Sequence, residues 1–273
     1  MKDSYIIGII GAGNMGEALI KGLLKSNLVR PYEIIASART PKRLRSLEKA
    51  YGIHTTRDNL AVTAASDTIV LSVKPQDMEG VCGQIRPAMT RNHLVISIAA
   101  GIDYARLRKM LGIKPRLIRV MPNLPAVIDE GISAIYCRPR MPERYRRFAH
   151  QIFQAVGQTV DVREEGLMDV ITGLSGTGPA YFFALMEAMR DAGQKLGLSP
   201  QMARLLTLCT AAGAGEMVLQ TGLSPEELRR RVTSEKGTTW AAMKHLKRKN
   251  FWRTMEDAVR IATKRAKELR KLK

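Results

Sequence analysis

Two hydrophobic rhythms divide the chain. Up to about Val162, short apolar runs rich in β-branched side chains recur between amphipathic stretches, which predicts strands at Tyr5 to Ile10, Glu33 to Ser37, Thr68 to Val73, Leu94 to Ile98, Leu117 to Val120, Ile132 to Ile135 and Thr159 to Val162. Helices with readable ends lie between them: Thr40-Pro41 starts one, Asp103 starts another that stops at Gly112, and Pro142 begins a third that stops at Gly157. After about Glu164 the strand signals cease. Pro179 to Leu196 is apolar around most of its circumference as far as Arg190, and Ser199-Pro200 caps a second apolar segment, Gln201 to Gln220. Ser224-Pro225-Glu226-Glu227 reads as a capping box, and Phe251 to Leu269 as an amphipathic closing helix.

Strands alternating with helices argue for a mostly parallel, doubly wound sheet, so residues 1–163 are predicted to form an α/β Rossmann domain and residues 164–273 an all-α domain. Helices apolar nearly all round must be buried on several sides. A domain of this size offers too little cover, so burial against a second copy of the chain is expected.

Composition narrows the class. The chain has 273 residues and a net charge of +19. That charge invites a test for nucleic-acid binding, but the basic residues are spread out, only 5% of residues are aromatic, and no stacking platform appears. A basic surface that attracts anionic small molecules is the reading, with no nucleic-acid partner. No apolar run reaches the length of a membrane span without a charge or glycine interrupting it, and Met1-Lys2-Asp3-Ser4 leads straight into a strand. Cys82, Cys137 and Cys209 are scattered, without CxxC spacing or a nearby histidine, so they are read as reduced thiols and no metal is expected. Together these features predict a cytoplasmic protein with no membrane partner.

Candidate chemistry sits in two places. Gly11-Ala12-Gly13-Asn14-Met15-Gly16 follows the first strand and opens a helical stretch, as a dinucleotide pyrophosphate requires. At the end of the second strand an NAD site normally carries an acid for the ribose hydroxyl, whereas this chain has Ser37, Ala38 and Arg39, then Lys42 and Arg43. Hydroxyl and guanidinium suit a 2′-phosphate, so NADPH is favoured with NADH possible. Ser72-Val73-Lys74-Pro75 ends a further strand, at the crevice side of such a sheet. Ser97 to Gly101 and Met121-Pro122-Asn123 also follow strands, and suit either close approach to a nicotinamide or a tight turn. Far downstream, Val232 to Thr239 places small residues and hydroxyls where a loop enters a helix, so the N–H groups of Gly237, Thr238 and Thr239 can converge on a carboxylate. A reductase of a small anionic substrate needs both.

In Gly11 to Gly16, Ser72 to Pro75, Arg119 to Asn123, Leu174 to Tyr181 and Val232 to Thr239 the chain resembles the pyrroline-5-carboxylate reductase family over nearly its whole length. The resemblance implies a Rossmann domain, a helical domain interlocked with a second subunit in a homodimer or larger assembly, and NAD(P)H-dependent reduction of 1-pyrroline-5-carboxylate to L-proline. It also implies that Ile10, Gly11, Ala12, Gly13, Asn14 and Met15 form the pyrophosphate loop, and that Asn59, Ser72, Val73 and Lys74 contact the cofactor. Ala100 belongs to the implied nicotinamide wall, Ser234, Gly237, Thr238 and Thr239 to the carboxylate cradle, and Thr172 lies beside the substrate ring nitrogen. The family commonly has Thr where Leu124 stands, Ser at Thr177, and Pro-Gly or Lys-Gly at Glu235-Lys236.

His54, His93, His150 and His245 fall outside these motifs, so no histidine is an obvious general acid. An imine protonated by solvent accepts hydride readily, so orientation is the main demand. Thr172 either faces that ring nitrogen or caps the adjoining helix. Two other readings compete. A related NADPH enzyme of the hydroxy-acid type needs a lysine at the start of a long second-domain helix, and Leu174 to Tyr181 has none. The other is a non-catalytic dinucleotide-binding paralogue.

Overall fold

A computed structural model describes residues 5–112 and 115–271. Its sheet has eight strands: β1 Tyr5–Ile10, β2 Ile34–Ser37, β3 His54–Thr56, β4 Ser66–Leu71, β5 Leu94–Ser97, β6 Arg116–Met121, β7 Gly131–Cys137 and β8 Gly157–Val162. They lie in the order β3-β2-β1-β4-β5-β6-β7-β8, parallel throughout except where β6 meets β7. Seven are those predicted from apolar runs. The short β3 has no apolar alternation to announce it, and pairing of His54, Thr55 and Thr56 with Ile35, Ala36 and Ser37 makes it a strand.

The pleat sends alternate residues to opposite faces. Ile7, Ile9, Val70, Leu94, Ile96, Ile118 and Val120 pack with α1 Asn14–Lys25, α2 Pro41–Tyr51 and α6 Glu143–Gln154. Ile10, Ile69, Leu71, Val95 and Leu117 face α3 Asn59–Ala65, α4 Met78–Ile85 and α5 Tyr104–Leu111. The caps follow the sequence signals: Thr40 and Asp103 accept from the N–H groups of Arg43 and Arg106, and Gly112 closes α5 in the left-handed region. Helix α6 stops at Gln154 with Ala155 as its cap, because Gly157, at φ 142°, already begins β8 against Gly131.

The chain runs outward from β1 to β2 and β3, then returns beside β1 as β4 and continues the other way. This reversal leaves a crevice at the carboxyl ends of β1 and β4, the usual ligand position in such sheets.

By compactness the chain forms two units, Met1–Thr177 with Ile261–Lys273, and Gly178–Arg260. Strands end at Val162, near the boundary drawn from sequence, but the next turns stay with the sheet. Glu165 is hydrogen-bonded to Arg119 and to the backbone of Tyr104, and α7 Leu167–Ile171 buries Met168 against Ala134, Tyr136 and Val162. The second unit holds α8 Gly178–Lys195, α9 Pro200–Thr221, α10 Pro225–Arg231, α11 Thr238–Arg248 and the start of α12 Phe251–Lys271. Helix α9 is long and apolar enough to cross a membrane by length and composition, although Arg204, Gly213, Gly215 and Glu216 interrupt it. Its apolar side chains are largely uncovered in the single chain: Leu205 is 63% exposed, Leu206 53% and Leu219 80%.

Candidate active site

The loop after β1 is built by three glycines with three tasks. Gly11 has φ 87°, and a Cβ there would lie 2.5 Å from Val73 and 2.9 Å from the Ser72 carbonyl oxygen, so the β1 and β4 loops meet only because it is glycine. At Gly13 a Cβ would find nothing nearer than the Gly11 carbonyl at 4.0 Å, which leaves bare backbone open to a ligand. At Gly16 a Cβ would come within 3.1 Å of that same carbonyl and 3.3 Å of Ile9, so its lack of a side chain seats α1 against β1. These are the demands of a dinucleotide pyrophosphate on its loop.

Backbone bonds fix the rest. Gly11 and Ala12 donate to the Ser37 carbonyl at 3.1 and 2.8 Å, and Ser72 donates to the Ile10 carbonyl at 2.8 Å. Among the described residues no side chain caps α1, so the N–H groups of Asn14, Met15 and Gly16 can serve an anion at its positive end. The residues present therefore fit a pyrophosphate.

Ser37 and Asn59, singled out separately in the sequence, are brought together. The buried Ser37 hydroxyl donates to Asn59 Oδ1 at 2.6 Å, and the Asn59 amide donates to Gln84 at 2.7 Å. Arg39 stands away from this network. Its side chain is 82% exposed and only loosely paired to Asp77 at 3.6 Å, free to meet a phosphate. Lys74 and Pro75 are exposed, while Ser72, Val73 and Ala100 are half-buried along the same carboxyl edge. Gly101, at φ 69°, turns the loop after β5, and a Cβ there would meet Leu269 at 3.1 Å. Asn123 accepts from the Ile132 N–H at 2.9 Å, so its amide oxygen serves the turn into β7.

Thr172 begins a π-helical turn, Thr172–Gly176, that no sequence signal announced; such turns recur at functional sites. Its hydroxyl donates to the Met168 carbonyl at 2.7 Å and keeps its lone pairs, while its carbonyl accepts both the N–H and the hydroxyl of Thr177 at 2.9 Å. A Cβ at Gly176 would collide with Met121 at 2.5 Å, so the turn lies against the carboxyl end of β6.

In the helical unit, Gly237 precedes α11 with no side-chain cap, leaving the N–H groups of Thr238 and Thr239 without a side-chain partner from this cap. Gly237 itself donates to the Ser234 carbonyl at 3.1 Å, so its own N–H closes the loop. A Cβ on Gly237 would lie 2.5 Å from Ser234 Oγ. Lys236 sits at φ 60°, in the left-handed region where the resemblance puts glycine.

The sequence placed Arg43 in the basic stretch after β2 but did not show its contact with the glycine loop. Its guanidinium reaches the carbonyl oxygens of Ala12 at 2.8 Å and Gly13 at 3.0 Å and pairs with Glu17 at 2.6 Å. Nothing in a linear reading joins residue 43 to residue 12, because the sheet makes that contact. Among the described residues, no group of three or more His, Cys, Asp or Glu could hold a metal ion.

A sequence signature described as pyrroline-5-carboxylate reductase dimerisation matches residues 165–269, and one described as NADP oxidoreductase, coenzyme F420-dependent, matches residues 6–101. The chain is 42% identical to a pyrroline-5-carboxylate reductase of Pseudomonas aeruginosa over 96% of both chains. It is 39% identical to one of Methanosarcina acetivorans over 98% of this chain and 99% of the other. Among solved structures, a pyrroline-5-carboxylate reductase of Coxiella burnetii superposes with a TM-score of 0.90 at 36% identity, covering 98% of this chain and 100% of that one. A pyrroline carboxylate reductase of Plasmodium falciparum with NADP bound gives a TM-score of 0.88 at 27% identity, covering 99% and 100%.

Proposed function

Because the chain belongs to the pyrroline-5-carboxylate reductase family, we infer that its glycine loop and the uncapped start of α11 serve one reaction. The enzyme is an NAD(P)H-dependent oxidoreductase that reduces 1-pyrroline-5-carboxylate to L-proline. The observation that carries the reading is the glycine loop, with Gly11, Gly13 and Gly16 each spaced for a pyrophosphate and no acid at the end of β2 to repel a 2′-phosphate. When bound, the nicotinamide supplies a hydride.

The chain's own residues then bind and orient. Ile10 to Met15 hold the pyrophosphate, Ser37, Arg39 and Asn59 the adenosine side with its 2′-phosphate, and Ser72, Val73, Lys74 and Pro75 the facing edge. Ala100 forms part of the nicotinamide wall. Ser234, Gly237, Thr238 and Thr239 hold the substrate carboxylate, chiefly through the N–H groups and hydroxyls at the start of α11. The Thr172 hydroxyl donates to Met168, so toward the ring nitrogen it acts by its lone pairs, accepting the iminium N–H. A group that accepts from the iminium stabilises the protonated form and needs no acid of its own, which agrees with the lack of a histidine in these motifs. Positioning of this kind can supply about 7–11 kcal/mol of barrier reduction.

Residues 164–273 are the dimerisation and substrate-binding part in this reading, with α8 and α9 covered by a second copy in a homodimer or larger assembly. NADPH is the preferred cofactor, and the cytoplasm is the site of action. Neither the non-catalytic nor the hydroxy-acid alternative is favoured. Purified protein given NADPH and 1-pyrroline-5-carboxylate should lose the reduced-nicotinamide absorbance in proportion to proline formed; a folded, NADPH-binding sample without turnover would overturn the assignment.

A further inference from the structure

Two adjacent carbonyl oxygens of the glycine loop, those of Ala12 and Gly13, converge on the single guanidinium of Arg43. In a trans peptide the C=O and N–H point in opposite directions. Anchoring the Gly13 carbonyl therefore fixes the direction of the Asn14 N–H, the first donor of the uncapped α1. Anchoring the Ala12 carbonyl likewise sets the Gly13 N–H, which donates to the Gly11 carbonyl at 2.7 Å and shapes the turn at Gly11.

The guanidinium is itself held. Arg43 Nη2 lies 2.6 Å from Glu17 Oε2, and Glu17 Oε1 accepts from the Tyr51 hydroxyl at 3.1 Å. Burial and the Glu17 carboxylate push the Tyr51 phenol above its usual range, so it stays a donor. Arg43 and Glu17 are only 27% and 30% exposed at their side chains, against 82% for Arg39. The two arginines thus have separate tasks. Arg39 projects into solvent at the end of β2, whereas the charge of Arg43 is matched by Glu17, and its Nε and Nη2 donors go to the loop carbonyls and that carboxylate.

We propose that Arg43, oriented by Glu17 and Tyr51, is a positioning residue that holds the pyrophosphate loop from behind and serves NADPH and NADH equally. The assignment rests on the cofactor reading above. It differs from a 2′-phosphate contact in its signature, since the pyrophosphate is common to both cofactors and the 2′-phosphate is not.

The test is titration of the full-length protein with NADPH and with NADH, for the wild type, Arg43→Met, Glu17→Gln and Tyr51→Phe. Removing a charge-assisted clamp should weaken both cofactors in Arg43→Met by the same factor, about tenfold. Glu17→Gln and Tyr51→Phe should give smaller losses, again equal for the two. With cofactor saturating, kcat of Arg43→Met should stay within about twofold of wild type while KM for NADPH rises, the split expected of lost ground-state positioning. A loss confined to NADPH would make Arg43 a reader of the 2′-phosphate, and no loss would show that the loop holds its shape alone; either overturns the proposal. If Arg43→Met fails to fold, Glu17→Gln carries the same comparison, because it frees the guanidinium without removing it. A wild-type protein that binds neither cofactor would instead sink the cofactor reading.

Discussion

Glu165 accepts a hydrogen bond from Arg119 at 2.7 Å, and the same carboxylate oxygen accepts the Tyr104 N–H at 2.6 Å. One carboxylate thereby joins β6 and α5 to the segment that leads into Thr172. Arg119 is buried, with only 5% of its side chain exposed, so Glu165→Ala would strand a charge and should cost about 3–5 kcal/mol. Urea unfolding measures this. Arg119→Met with Glu165→Leu should recover most of the loss, because the burial penalty then vanishes from both partners.

Arg39 is exposed and weakly paired, so its charge is available to a 2′-phosphate. Arg39→Asp puts an anion there and should weaken NADPH at least about tenfold more than NADH. Equal losses in the two titrations would take the arginine off the 2′-phosphate.

The loop before α11 offers two opposite substitutions. Lys236→Gly relieves a left-handed non-glycine residue, and after the entropy that glycine adds to the unfolded chain it should stabilise by about 0.5–1 kcal/mol. Gly237→Val brings its Cβ against the Ser234 hydroxyl and should raise the KM for 1-pyrroline-5-carboxylate at least about tenfold. Thermal melting follows the first and steady-state kinetics the second. Unchanged KM in a folded Gly237→Val would move the carboxylate site elsewhere.

Leu205, Leu206 and Leu219 lie uncovered along α9 in a single chain. Apolar side chains left this exposed along one helix mark an interaction surface, so Leu206→Glu should yield aggregated or inactive protein. Sedimentation of the wild type should give a dimer or larger species; a stable, fully active single chain at assay concentration would contradict the assembly.

His93 is buried, and its Nδ1 accepts the Thr90 N–H at 3.0 Å, which requires the neutral ring. Burial lowers its pKa below the ordinary 6.5, the Asp67 charge opposing without overcoming it. The unfolded chain therefore binds this proton more tightly than the folded one. The histidine's share of stability is complete above about pH 6.5 and declines as pH falls from there toward the folded value. Urea midpoints at pH 7.5 and 5.5 should fall less in His93→Gln than in wild type; an identical fall in both would exclude His93 as its source.

Local order was legible in the residues themselves. Apolar runs marked the central strands because a strand covered on both faces must be apolar on both, although the exposed β8 was marked by Val160 and Val162 alone. Thr40-Pro41, Asp103, Ser199-Pro200 and Ser224-Pro225 marked helix starts because a cap is a short-range hydrogen bond. Gly11, Gly13 and Gly16 announced the phosphate loop, since a missing Cβ is a property of the chain. Pairing decided the rest. β3 is a strand because β2 lies beside it, and residues 164–177 stay with the sheet because Glu165 finds Arg119. The π-turn at Thr172 closes through Thr177 and rests on Met121, and Arg43 reaches Ala12 and Gly13 across 31 and 30 residues of chain. Contacts between distant segments exist only once the sheet has set their spacing, so their partners are written in the fold.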